Sequence, residues 1–209
     1  MKVLAIGAHF DDIELGCGGT LYRHYKNKDE IFYIVVTKSD YKSHIIDHER
    51  TEQDAINEGI QSAKFLNVKL IQGNFETLTL QPNKELINYL CKKIADISPD
   101  VVYTHFIGDQ HLDHQAVAKA SMIATRNINC VYSYLPNLYN TNPTFKPNYF
   151  VDISEEFDIK LTLLKLFKSE ASSHNWEKQL KLYNGIYGFK NSVEYCEPFQ
   201  LIKQINRRK

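Results

Sequence analysis

The chain has 209 residues, 43% hydrophobic and 24% charged, which suits one generous domain over residues 1–209 with a sizeable core. Its 25 basic and 25 acidic residues cancel, so it lacks the basic footprint of a nucleic-acid binder. Cys17, Cys91, Cys130 and Cys196 are scattered without a CxxC pair, and no apolar run nears the ~20 residues of a membrane span. A cytoplasmic protein with no disulfide framework, no thiolate zinc site, and neither a membrane nor a nucleic-acid partner is expected.

In chain order, Val3-Leu4-Ala5-Ile6 reads as a buried strand of a parallel sheet. It breaks at Gly7 and releases His9, Phe10, Asp11 and Asp12 at its carboxyl end, where open α/β sheets place their ligands. A helix follows from about Ile13 to Tyr25, and the run Gly16-Cys17-Gly18-Gly19 inside it fits close helix–sheet packing better than a phosphate loop, since no dinucleotide fingerprint or Walker lysine accompanies it. Ile31 to Thr37 is a second apolar strand. The polar connection after it, with Tyr41, Lys42 and His44, leaves a strand's carboxyl end and is expected to border the same cleft.

A long helix is expected from His48 to Leu66, with Arg50 in its first turn. A cation there opposes the helix macrodipole, so Arg50 either pairs with nearby acids or contacts a polar or anionic part of a substrate. Val68 to Ile71 is a short strand, Asn83 to Ile97 an amphipathic helix, and Val101 to His105 a fourth strand. That strand again ends in ligand-rich sequence, with His111, Asp113 and His114 at the start of another helix. Beyond it come a strand from Cys130 to Leu135, an Asn/Pro/Tyr-rich loop over 136–147 long enough to form a lid, and a strand from Tyr149 to Ile153. Ser154 is expected to cap a helix reaching Ser169. Residues 170–190 show a mixed pattern, and Phe199 to Ile205 reads as a last strand.

Either acidic corner alone could be a helix cap. Two His/Asp clusters that end parallel strands must share one sheet edge, which is more economically a metal site. His9, Asp12 and His114 then supply two imidazoles and a carboxylate, a donor set for Zn2+, with Fe2+ or another divalent ion also suited, and with coordination left open for water. Asp11, close but not a ligand, is placed as general base. His111 is placed to stabilise an oxyanion or to protonate a leaving amine, and Asp113 to orient one of the imidazoles. Together these parts describe metal-assisted hydrolysis of a carbonyl bond. His105 is kept as a second partner of the site, whereas His24, His44, His48 and His174 have no partner at ligand spacing.

The stretches AHFDDIE, GCGGTL and HLDHQAV resemble the signature motifs of the PIG-L/LmbE-like N-deacetylases, usually AHPDDE and HPDH. The resemblance extends to Arg50, to PDVVYTH, and to Tyr195-Cys196-Glu197-Pro198-Phe199, similar to a family YAEAF stretch. It implies an α/β, Rossmann-like three-layer fold with a mostly parallel central sheet. It also implies zinc-dependent removal of acetyl from a small-molecule N-acetylated amino sugar such as an N-acetylglucosamine conjugate, free or nucleotide-linked, with His9, Asp12 and His114 on the metal, Asp11 as base, His111 at the oxyanion and Arg50 on substrate. Phe10 and Leu112 replace the usual prolines, Ile13 is an extra residue, and Gln53 and Glu170 replace a Glu and a Gln frequent in relatives. An amidase releasing a larger acyl group, and a metal- or sugar-binding module without turnover, are the competing readings. The tyrosines and phenylalanines, 13 and 11, leave material for a homo-oligomer interface.

Overall fold

In the computed structural model, residues 1–42, 48–137, 139–171 and 175–206 are described. The elements run β1 (Lys2–Gly7), α1 (Asp12–Lys26), β2 (Glu30–Thr37), β3 (Tyr41–Lys42), β4 (Glu49–Arg50), α2 (Glu52–Phe65), β5 (Lys69–Phe75), α3 (Lys84–Ile97), β6 (Val101–His105), α4 (Leu112–Ala124), β7 (Cys130–Tyr134), β8 (Tyr149–Asp152), α5 (Phe157–Leu164), α6 (Lys168–Ala171), α7 (Trp176–Lys190) and β9 (Cys196–Gln204). A seven-stranded sheet has the order β5-β2-β1-β6-β7-β9-β8. The first five of these strands are mutually parallel, and β9 runs antiparallel to both β7 and β8.

Alternation along β1 divides the core. Val3 and Ala5 face the cluster built with Leu21 of α1, Ala55 of α2, Leu161 of α5 and Leu180 of α7. Leu4 and Ile6 face the cluster built with Leu90 of α3 and Val117 of α4. The sheet is therefore covered on both faces, as a parallel sheet requires. Strand order reverses between β1 and β6, so the loops leaving these two strands open a crevice at the switch point. Both His/Asp clusters lie there.

The glycines of α1 permit close approach. A Cβ on Gly16 would stand 2.0 Å from the Tyr134 ring, and one on Gly19 would stand 2.9 Å from Ile153. The helix also kinks at Cys17, which has non-helical φ/ψ. Backbone groups freed by the kink are satisfied internally: Glu197 accepts from the amides of Gly19 and Thr20 at 2.9 and 2.7 Å, and Lys160 Nζ donates to the Leu15 carbonyl at 2.7 Å. Lys160 and Glu197, both fully buried, pair with one another. One removed without the other would strand a buried charge.

Several expected boundaries move. The helix expected from His48 begins at Glu52, because Thr51 accepts the Asp54 amide and caps it there. Arg50 thus lies in β4, paired with β3, before the cap and not in the first helical turn. The helix expected from Ser154 to Ser169 breaks into α5 and α6. Ser154 Oγ instead donates to Asp152 and accepts the amides of Glu194 and Tyr195. Residues of the mixed stretch form α7, with Asn175 accepting the Lys178 amide as its cap. The last strand starts three residues early, at Cys196. His44 and His174 lie outside the described residues, as does Leu138 of the expected lid.

Candidate metal centre

Neither carboxylate of the first corner caps α1. Asp11 occupies the cap position with φ 111° and makes no side-chain cap bond, and Asp12 Oδ2 turns back to accept the His9 amide at 2.7 Å. A non-glycine residue at such φ carries strain of roughly 1–3 kcal/mol and persists only when its surroundings impose it. Here Ser39 Oγ accepts the Phe10 amide at 2.9 Å, Arg50 Nη1 donates to the Phe10 carbonyl at 3.1 Å, and the Phe10 ring seats against Gly59. Phe10, the residue before Asp11, is thus held through its amide, its carbonyl and its ring.

The second corner meets the first. His9 Nδ1 lies 3.2 Å from His114 Nε2 and 3.4 Å from Asp12 Oδ2, and Asp12 Oδ1 lies 3.1 Å from His114 Nε2. Four-coordinate zinc with bonds of about 2.0–2.1 Å separates its ligand atoms by about 3.3 Å, a spacing close to that between His9 Nδ1 and His114 Nε2, while the Asp12 carboxylate presents a different oxygen to each imidazole. Among the described residues, the triads whose candidate donors lie within 4.8 Å of one another are His9, His111, His114 and Asp12, His105, His114, each of which holds two of these three residues. Backbone amides decide between them. His105 Nε2 accepts the Ala8 amide at 2.9 Å, which occupies the lone pair a metal would need. His111 Nδ1 accepts the Asp113 amide at 3.2 Å and caps α4, which leaves only Nε2 for the pocket.

Hydrogen-bond partners also assign the tautomers. His114 Nδ1 faces Asp109 Oδ2 at 2.9 Å, and His9 Nε2 faces Asp113 Oδ2 at 3.0 Å. Each of these nitrogens carries a proton toward its carboxylate and leaves the other with a free lone pair, the usual support of a metal-binding histidine. Asp113 is itself held by the amides of Leu78 at 2.7 Å and Leu80 at 3.1 Å. Asp109, 1% exposed, was not singled out by sequence reasoning, which gave the orienting role to Asp113 alone. Its only signal is an acid five residues before His114, which is common in loops.

The electrostatics favour a cation at this point. Burial opposes charge on His9, yet hydrogen bonds to Asp113 and Asp12 raise it to about 9. Burial likewise opposes charge on His114, and Asp12 together with Asp109 raises it to about 10. Against its own burial, Asp12 is held well below the usual carboxylate range by His114 and His105. His105 falls to about 4 through burial and the charge of His114, and His111 falls to about 4 through burial and the charges of His9 and His114. A divalent ion would take the place of the protons on His9 and His114. Asp11 goes the other way: burial, reinforced by Asp12 and Glu170, lifts it well above the usual range despite Arg50.

A cavity of about 270 Å³ opens over these residues, with Ser39, Tyr41, Tyr139 and Trp176 in its wall. Tyr41 and Tyr139 bring the expected bordering loop and the 136–147 loop to it. Arg50 lines it too, but only 2% exposed, and its ends are taken by acids: Nη1 lies 3.6 Å from Asp11 Oδ2 and 3.3 Å from Glu170 Oε1, and Nη2 lies 3.2 Å from Glu58 Oε2. Pairing with acids, one of the two sequence readings of Arg50, is the arrangement found, with Asp11, Glu58 and Glu170 as the acids.

The family described as PIG-L, GlcNAc-PI de-N-acetylase, matches residues 4–125, a span that holds both clusters. The chain is 37% identical over 176 residues to a protein of Escherichia coli (strain K12) named uncharacterized deacetylase YaiS, covering 80% of this chain and 90% of that one. It is 25% identical over 232 residues to the diacetylchitobiose deacetylase of Thermococcus kodakarensis, covering 98% of this chain and 84% of that one. Its fold is similar to that of N,N'-diacetylchitobiose deacetylase from Pyrococcus horikoshii, with a TM-score of 0.82 at 24% identity over 96% of this chain and 83% of the other.

Proposed function

The chain belongs to the PIG-L family, and on that premise we propose that it is a cytoplasmic zinc-dependent N-deacetylase that removes acetate from an N-acetylated amino sugar, with residues 1–209 acting as one catalytic domain. The observation that carries this reading is the convergence of His9, Asp12 and His114, with the imidazoles backed by the carboxylates of Asp113 and Asp109. The names of the Thermococcus and Pyrococcus relatives support an N-acetylated sugar as substrate. The aromatic residues around the cavity suit the faces of sugar rings. No helix among the described residues is long and apolar enough to cross a membrane.

A zinc ion at this position supplies Lewis acidity and lowers the pKa of water toward about 7; Fe2+ fits the same donors. Asp11 stands in the pocket wall beside these three residues without joining them, placed to take a proton from the attacking water. His111 is neutral and its Nδ1 is committed as an acceptor, so its single proton sits on Nε2 as a donor for the acetamide oxygen as negative charge develops there. Asp113 and Asp109 orient His9 and His114. Arg50, expected on substrate, is assigned here to the Asp11 corner through the Phe10 carbonyl.

Asp11→Ala tests the reading. Zinc content is expected to stay at the wild-type level while acetate release falls by about 10²–10⁴-fold, the usual worth of a positioned base. Unchanged acetate release would remove Asp11 from the chemistry. Loss of zinc together with activity would mean that Asp11 belongs to the metal shell.

A further inference from the structure

The charge of the pocket wall deepens the reading just given, on which this inference rests. Arg50 is the one lysine or arginine among the described residues that line the cavity. It is buried, and Asp11, Glu58 and Glu170 surround its guanidinium within 3.6 Å. Each acid is tied in further. Glu58 accepts the Ser169 amide at 2.7 Å and its hydroxyl at 2.6 Å, and Glu170 accepts the Tyr41 hydroxyl at 3.2 Å. Glu58 and Glu170 thus hold the two ends of one cation with Asp11 beside them, and its one unpartnered nitrogen, Nε, is buried away from the cavity's solvent.

Neighbouring bases do not change this balance. Lys38 pairs with Glu76, and Lys42 with Glu49 at 3.0 Å. At the metal end, a divalent ion is matched by Asp12, Asp109 and Asp113. The remaining wall, with Ser39, Tyr41, Asn137, Tyr139 and Trp176, is neutral. A phosphate or carboxylate on the substrate would meet excess negative charge, or would have to draw Arg50 away from buried acids and leave them unpaired.

We propose that the pocket selects its substrate by charge: N-acetyl amino sugars that are neutral or already bear a free amine are accepted, and the same sugars carrying phosphate or carboxylate are rejected. Nucleotide-linked sugars fall on the rejected side. A partly deacetylated oligosaccharide, whose exposed amine is a cation, falls on the accepted side.

The test is a matched panel on the zinc-loaded protein: an N-acetylglucosamine disaccharide, the same disaccharide with one amine free, and N-acetylglucosamine 1-phosphate. The expected kcat/KM for acetate release is at least about tenfold lower for the phosphate, since like charge across an interface is strongly disfavoured. Added salt should narrow that gap by screening. Glu170→Gln, nearly isosteric and leaving Arg50 with Asp11 and Glu58, should narrow it further by improving the phosphate substrate. Equal or better use of the phosphate sugar would overturn the inference, as would a ratio that neither salt nor Glu170→Gln moves. Should no panel member release acetate, the deacetylase reading fails, and calorimetric binding of the same three sugars then decides the inference separately. Tighter binding of the phosphate sugar would overturn it, and tighter binding of the neutral and amine-bearing sugars would uphold it.

Discussion

Asp109→Asn is a small change with a large expected consequence. One buried carboxylate serves two donors: Oδ2 faces His114 Nδ1 and Oδ1 accepts the His111 amide, each at 2.9 Å. An asparagine keeps the shape but has a single acceptor oxygen, so its NH2 group must confront one of the two donors. If it faces the His111 amide, a buried donor goes unsatisfied at roughly 1–3 kcal/mol. If it faces His114, Nδ1 becomes an acceptor and the ring proton moves to Nε2, the atom proposed as the metal ligand. In both cases the partner that raises the affinity of His114 for a cation is lost. Removing such a partner weakens metal binding by about 10–100-fold, or roughly 1.4–2.7 kcal/mol. Zinc affinity measured by competition with a chromophoric chelator reads this directly, and circular dichroism confirms that the fold is kept. An Asp109→Asn protein that binds zinc as tightly as the wild type would refute the role of Asp109 and, with it, the use of Nε2 of His114 as a ligand.

The remaining predictions concern stability. Glu14 is 3% exposed and bonded to the Ser62 hydroxyl, and burial raises it from 4.5 to about 7. A group raised in the folded state contributes its full stability below the unfolded value, and that stability is lost as pH climbs from about 4.5 through 7. Glu14→Gln removes the loss. In metal-free protein, its unfolding free energy relative to wild type should therefore be more favourable at pH 8 than at pH 4.5 by on the order of 3 kcal/mol; urea unfolding at the two values checks this, and an equal difference at both would contradict it. Gly59→Ala would place a Cβ 2.1 Å from the Phe10 ring, which is itself buried. Overpacking of this kind costs about 1–3 kcal/mol, so Tm should fall by roughly 2–12 °C. Acetate release should fall more than stability explains, because Phe10 carries the peptide that holds Asp11. Full activity and an unchanged Tm in the Gly59→Ala protein would show that the corner has slack.

The features legible in the sequence are those carried by local signals. β1, β2 and β6 are continuous apolar runs, and each of the two polar clusters directly follows one of them, so their convergence at a sheet edge follows from right-handed connections alone. The glycines of α1 were likewise readable, since four small residues in a helix point to a close neighbour, here Tyr134 and Ile153. What stayed hidden depends on partners distant in the chain. Arg50 looked like a helix-start cation because His48 to Glu52 continues the polar pattern of α2, and only the pairing of β3 with β4 pulls it into a strand. Its partner Glu170 is far away in sequence, at the start of the mixed stretch. The kink at Cys17 and the Lys160–Glu197 pair that satisfies it join three separated segments, which no periodicity announces. α7 was obscured by Gly185 and Gly188, of which Gly188 lies so close to the Glu194 carbonyl that a Cβ would stand 2.2 Å from it. Asp109 was missed because its geometry, rather than its type or spacing, sets it apart from Asp113.

The measurement that bears most directly on the account is acetate release from N-acetylglucosamine oligosaccharides by protein stripped of metal with a chelator and then reloaded with one equivalent of zinc. The account predicts no release from the stripped protein, recovery on reloading, and zinc bound at one per chain in wild type but lost on His9→Ala or His114→Ala. Full activity in the stripped protein, or zinc retained after both histidines are removed, would contradict it.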